Sequence, residues 1–180
     1  MKSRMHVAVL VLGLVTFVSG GRARAVAAPG GASLRVGVFD SRAVAIAYGR
    51  SPAGAARSQA LHEEYEMAKA ANNEPRVKEI EREAQWSPVR LHQRSFSTAG
   101  VASILLTVAD RLPAVARDAG VSMLVSKWET PYVGPRVETV DVTLPLALLF
   151  RPDARTPRMI EQLEATPPVP LGELGLDPND

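Results

Sequence analysis

Apolar residues change their spacing along this chain, and the changes divide it into segments. Val7 to Val18 is an apolar run of twelve residues, shorter than the roughly 20 a helix needs to span a bilayer. Leu34 to Phe39 sets Val36, Val38 and Phe39 around Gly37, a β-branched and aromatic run that predicts a short strand. It stops at Asp40-Ser41, either of which can accept a hydrogen bond from the first turn of a helix. Strong helix formers follow from Arg42 to Ala71. They are interrupted at Ser51-Pro52, where Ser51 can cap a restart and Pro52 fits the first helical position.

Asn72-Asn73-Glu74-Pro75 has the composition of a turn, so the chain should reverse there. On the return, Val77, Ile80, Ala84 and Leu91 recur at spacings of three, four and seven, the seam of a helix packing on a partner helix. Leu61, Tyr65 and Ala68 give the outgoing helix a matching stripe, and residues such as Glu63, Glu64, Arg76 and Glu83 surround it with mixed charge. The pattern predicts a solvated antiparallel helical hairpin of coiled-coil type over about 52–96, with Leu61, Tyr65, Val77, Ile80 and Leu91 in its seam. A two-helix segment folded onto the body satisfies the same spacing. Pro88 should kink the return arm.

After Gly100 a broader apolar face, Val101, Ile104, Leu105, Val108, Leu112 and Val115, predicts a helix resting on a sheet and ended by Gly120. Val121, Met123 and Val125 predict a second strand, Trp128 to Arg136 a loop, Val140 and Val142 a third strand, and Leu144 to Phe150 a short apolar closing segment. The fold expected is α+β: a short three-stranded sheet with an inserted antiparallel helical hairpin, in a domain over 34–150. A tail over 151–180 follows, holding six of the 14 prolines. So thin a sheet has edges that invite another chain, and nothing in Leu34 to Phe39 blunts an edge with Lys or Pro. Association through the sheet follows, unless the tail covers that edge.

Charge and composition change where this domain is expected to work. Lys2 and Arg4 precede the first apolar run and Ala23-Arg24-Ala25 offers small residues for cleavage, so residues 1–25 read as a secretory signal peptide and 26–33 as a flexible lead-in. The whole chain is formally +2. Removing Lys2, Arg4, Arg22 and Arg24 from its 21 Lys and Arg leaves 17 against 19 Asp and Glu, or −2. No basic stripe remains for nucleic acid, and no membrane anchor is expected after cleavage. The chain has no Cys, which fits an oxidising compartment and excludes a disulfide framework.

Candidate chemistry is sparse, and no enzyme, metal or cofactor is expected. His62-Glu63 is followed at the position of a second zinc-binding His by Glu66, and His92 has no carboxylate nearby in sequence to orient it. No nucleophile elbow or Gly-rich phosphate loop is present. Asp40 reads as a helix cap, and Asp110 and Asp141 as ordinary surface charges. Trp128, Tyr132 and Arg136 are of the types enriched at interaction hot spots, which makes their loop the candidate partner-binding surface. Trp128 could instead fold back over the sheet edge. In the tail, Thr166-Pro167-Pro168-Val169-Pro170 suits an extended conformation that docks on its own body or on a partner's aromatics, with Leu171, Leu174 and Leu176 as apolar anchors.

The order strand, helical hairpin, strand, strand resembles the Skp/OmpH family of periplasmic chaperones. Val36-Gly37-Val38-Phe39-Asp40 resembles its opening strand, Leu112 to Ser126 its return into the body, and Val140-Asp141-Val142-Thr143-Leu144 its closing strand and turn. The resemblance spans about 34–149. It implies a homotrimer whose strands build a small barrel, with helical arms enclosing unfolded outer-membrane proteins. The chain departs from the family in its short arms, interrupted by Pro75 and Pro88, and in its slightly acidic mature balance. The expectation is an exported, periplasmic, chaperone-like homo-oligomer that binds unfolded or partly folded envelope proteins. The alternative is a non-catalytic structural or assembly component of the envelope.

Overall fold

The computed structural model describes residues 33–174. The expected signal peptide, the lead-in up to residue 32, and Leu176 lie outside the described residues. The fold is α+β. In chain order come β1 (Leu34–Phe39), α1 (Ser41–Gly49), α2 (Pro52–Ala70) and α3 (Glu74–Phe96), then α4 (Ala102–Leu105), a 3-10 stretch (Leu106–Arg111) and α5 (Leu112–Ala119). β2 (Met123–Ser126), β3 (Val137–Asp141), α6 (Thr143–Leu148), α7 (Thr156–Glu164) and a final 3-10 turn (Leu171–Glu173) complete the order.

The three strands form a parallel sheet in the order β2-β1-β3, with Val36 opposite Met123 and Leu34 opposite Val137. This corrects the edge expected from sequence. β1 is the central strand, hydrogen-bonded on both sides, so β2 and β3 carry the free edges. Parallel pairing also requires the loop after β2 to bring the chain back to the start of the sheet before β3 can begin.

Alternation along β1 gives the sheet two unlike faces. Gly37 and Phe39 look one way with their register partners Leu124 and Val140, into the main apolar core. α1 sits at the centre of that core. Its Ala43, Val44, Ala45 and Ala47 are fully buried, as expected of a helix enclosed on most sides. α6 adds Leu146 and Ala147, and α7 adds Ile160. Gly37 is needed for this closeness, since a Cβ there would lie 2.8 Å from Leu124 Cδ2.

Local chemistry explains the element ends. Asp40 caps α1 through a hydrogen bond from the Arg42 amide, Ser51 caps α2 through the Gly54 amide, and Asn73 caps α3 through the Arg76 amide. After α5, Gly120 takes φ 64°, with its amide donating to Arg117 and that of Val121 to Ala116. This is a Schellman cap. It commits Val121 to the helix end, which is why β2 begins at Met123 rather than at Val121 as expected.

One further expectation is revised, and two segments with no predicted element hold helices. The apolar face after Gly100 is not one helix: it breaks at Val108, whose φ of −129° is non-helical, and α5 restarts with Pro113 in its first turn. The closing segment from Leu144 is helical. The tail contains α7, which packs on α1, and its Val169 amide donates to the Phe96 carbonyl. The segment thus wraps its own body as far as Val169.

Candidate functional site

Two regions hold the residues singled out in the sequence: the sheet face opposite the main core, and the α2–α3 pair. On that face lie Leu34, Val36 and Val38 of β1, Met123 and Val125 of β2, and Val137, Thr139 and Asp141 of β3. Among the described residues, no helix packs over them. The loop from Lys127 to Arg136 crosses the face, and Thr130 and Val133 approach Val38, Thr139 and Asp141 around a cavity of about 290 Å³. Val36 is buried, whereas Leu34 and Met123 are 46% and 49% exposed. Tyr132 is 76% exposed, Val133 is also exposed, and Arg136 points to solvent at the end of the loop.

Trp128 behaves differently from Tyr132 and Arg136. It is half-buried, and its indole Nε1 donates to Asp40 Oδ1 at 2.9 Å. Asp40 directly follows β1 and is 3% exposed. Its carboxylate also accepts from the Arg42 amide (3.0 Å) and from Arg42 Nη2 (2.8 Å), and pairs with Lys127 Nζ (2.9 Å). Both cations lie over the Trp128 ring, Lys127 at 4.6 Å and Arg42 at 5.2 Å from its centroid. Burial pushes the Asp40 carboxyl up, but the bonds from Arg42, Lys127, Trp128 and the Arg42 amide outweigh it and hold its pKa at about 2. A carboxylate so engaged is ionised at neutral pH and unsuited to proton transfer there. It works as a clasp that ties the start of the loop to the end of the central strand.

In the sequence Asp40 reads only as a helix cap, and Lys127 carries no local mark of its part in the clasp. A signal was available. β1 and β2 are each followed directly by a charged residue, and the pairing of Phe39 with Ser126 makes Asp40 and Lys127 the next neighbours along the register. Parallel pairing was the missing premise.

In the arms, Ala68, Val77 and Ile80 form a small buried cluster with Leu61 and Tyr65 packed against it. Ion pairs Arg57–Glu83 and Arg76–Glu64, both at 2.5 Å, flank it and fix the helices as antiparallel. Leu91 departs from the expected seam. It packs on the main core because Gly49 leaves room for it: a Cβ at Gly49 would lie 3.0 Å from Leu91 Cδ2. α3 continues through Pro88 to Phe96.

The candidate chemical residues lie apart. His62 and His92 are exposed on α2 and α3, His92 stacking on Phe96 with ring centroids 4.4 Å apart. Asp110 is exposed beside Arg111, and Asp141 accepts from the Thr143 amide at 2.7 Å. Among the described residues, no three His, Asp or Glu side chains gather in a way that could hold a metal ion. No helix among them is long and apolar enough to cross a membrane. No protein-family model matches the chain, and neither a curated protein nor a solved structure does.

Proposed function

We propose that this chain is an exported, non-catalytic, chaperone-like protein of the Skp/OmpH type, which binds unfolded or partly folded envelope proteins, outer-membrane proteins among them, in the periplasm. The observation that carries the reading is the sheet face crossed by one loop, with Leu34, Met123, Tyr132 and Val133 exposed on or beside it. An apolar surface of this kind in a polar surround suits contact with another chain. In this reading copies of the chain associate through the face as a homotrimer, and the α2–α3 arms take up the client. The placement of a helical pair between β1 and β2 supports the resemblance noted in the sequence.

A second reading, a structural or assembly component of the envelope, draws on the arms themselves. Their buried seam is confined to Ala68, Val77 and Ile80 near the turn, and ion pairs hold the helices together, which leaves little apolar surface for a client.

Light scattering separates the two. An unfolded outer-membrane protein diluted from denaturant should stay dispersed when the purified protein is present at stoichiometric amounts. Aggregation at an unchanged rate removes the chaperone reading, and sedimentation of the protein as a monomer removes both.

A further inference from the structure

A groove of about 470 Å³ lies between α1, the end of α3, and α7 with the segment after it. Its volume is that of a small-molecule site, for which about 300–1,000 Å³ is usual. The wall is aliphatic and aromatic, with Ala45, Ile46, Leu91, Phe96, Met159 and Leu163. Phe96 and Met159 are 50% and 36% exposed, so the described residues leave this apolar surface unfilled.

Two details give the groove a chemical preference. The charged side chains on its wall, Arg42 and Arg50, are both cationic, with no carboxylate among the lining residues. Arg42 is consumed by Asp40 and by the carbonyls of Leu163 and Thr166. Arg50 pairs with Asp153 through one nitrogen, Nη2 at 2.6 Å, and its side chain is 36% exposed. A guanidinium carries five donors, so Arg50 retains N–H groups for a second anion. The other detail is Ser95, a largely buried residue that adds a hydroxyl-bearing side chain to the groove wall.

We propose that this groove binds a single-chain aliphatic carboxylate, a long-chain fatty acid. Its chain lies against Ile46, Leu91, Phe96 and Met159, and its carboxylate is held at Arg50. An aliphatic chain matches the wall, and a single negative head matches a wall whose charges are all positive. The site is separate from the sheet face and from the arm seam, so it does not depend on the chaperone reading.

Fluorescence of cis-parinaric acid added to the purified full chain tests this, with palmitate and hexadecanol as competitors. Saturable binding is expected, with palmitate displacing the probe at about tenfold lower concentration than hexadecanol, the size of one charge-assisted hydrogen bond. R50Q should remove that difference and leave hexadecanol unchanged, and M159W should block probe binding while circular dichroism stays that of the parent. The comparison of competitors needs no variant. Absence of saturable binding, equal displacement by the two competitors, or full binding by a folded M159W protein would each overturn the proposal.

Discussion

Arg42 Nη2 lies 2.8 Å from Asp40 Oδ2, and neither side chain is more than 4% exposed. The same guanidinium donates to the carbonyls of Leu163 and Thr166 at the end of α7. One buried ion pair therefore joins the central strand, the first helix and the C-terminal segment. The helix end is favourable ground for a cation, because its last carbonyls lack intrahelical partners.

Removing one member of such a pair strands the other. Asp40→Asn keeps the shape but leaves Arg42 and Lys127 facing each other without the anion. The expected loss is about 3–5 kcal/mol, read from the urea midpoint at neutral pH. A loss below about 1 kcal/mol, the range of an exposed pair, would mean that Asp40 acts as a cap and little more.

Acid should act through the same carboxyl. Its folded pKa of about 2 lies below the unfolded value of about 3.9. A depressed folded value means the stabilisation is complete above about pH 4 and is lost as pH falls towards 2. Denaturation midpoints of the parent should drop across that window, and the gap between parent and Asp40→Asn should narrow as they do. A gap that stays constant from neutrality to pH 2 would show that another group carries the acid response. Asp153, lowered by its hydrogen bond from Arg50, is exposed and should contribute little by comparison.

The sheet face makes a prediction about assembly. Leu34 and Met123 are about half exposed and sit on the face that no described helix covers, so replacing both by Lys should change monomer stability by no more than about 0.5 kcal/mol each. If copies associate through this face, the double variant should sediment as a monomer where the parent does not. An unchanged sedimentation coefficient would move the interface elsewhere, and the exposed edges of β2 and β3 would be the next place to look.

What the sequence made legible follows the range of the interactions. Caps at Asp40 and Ser51, the turn before Pro75 and the left-handed end at Gly120 were readable because each rests on a residue and its near neighbours. The clasp around Asp40 was not, because it depends on Lys127 and Trp128, which only the parallel register brings to the end of β1. Leu91 was misplaced for a similar reason: its spacing fits the arm seam, but the space left by Gly49 draws it into the main core. The helix α7 was hidden by prolines on both sides of it, although Pro157 sits in its first turn, where proline is tolerated.

Ile80 offers the sharpest test of how the arms relate to the body. It is 2% exposed, and its cluster with Ala68 and Val77 is separate from the main core. Ile80→Asp should bury a charge there and cost several kcal/mol, on the order of 3 or more, while nothing in the main core changes. The chain's two tryptophans report on the two regions: Trp86 lies on α3 and Trp128 at the clasp. With Trp86 replaced by Phe, Trp128 emission should change at the parent's melting temperature even when helical dichroism has already fallen at a lower one. Both signals moving together to the lower temperature would show that the arm seam and the body unfold as one cooperative unit.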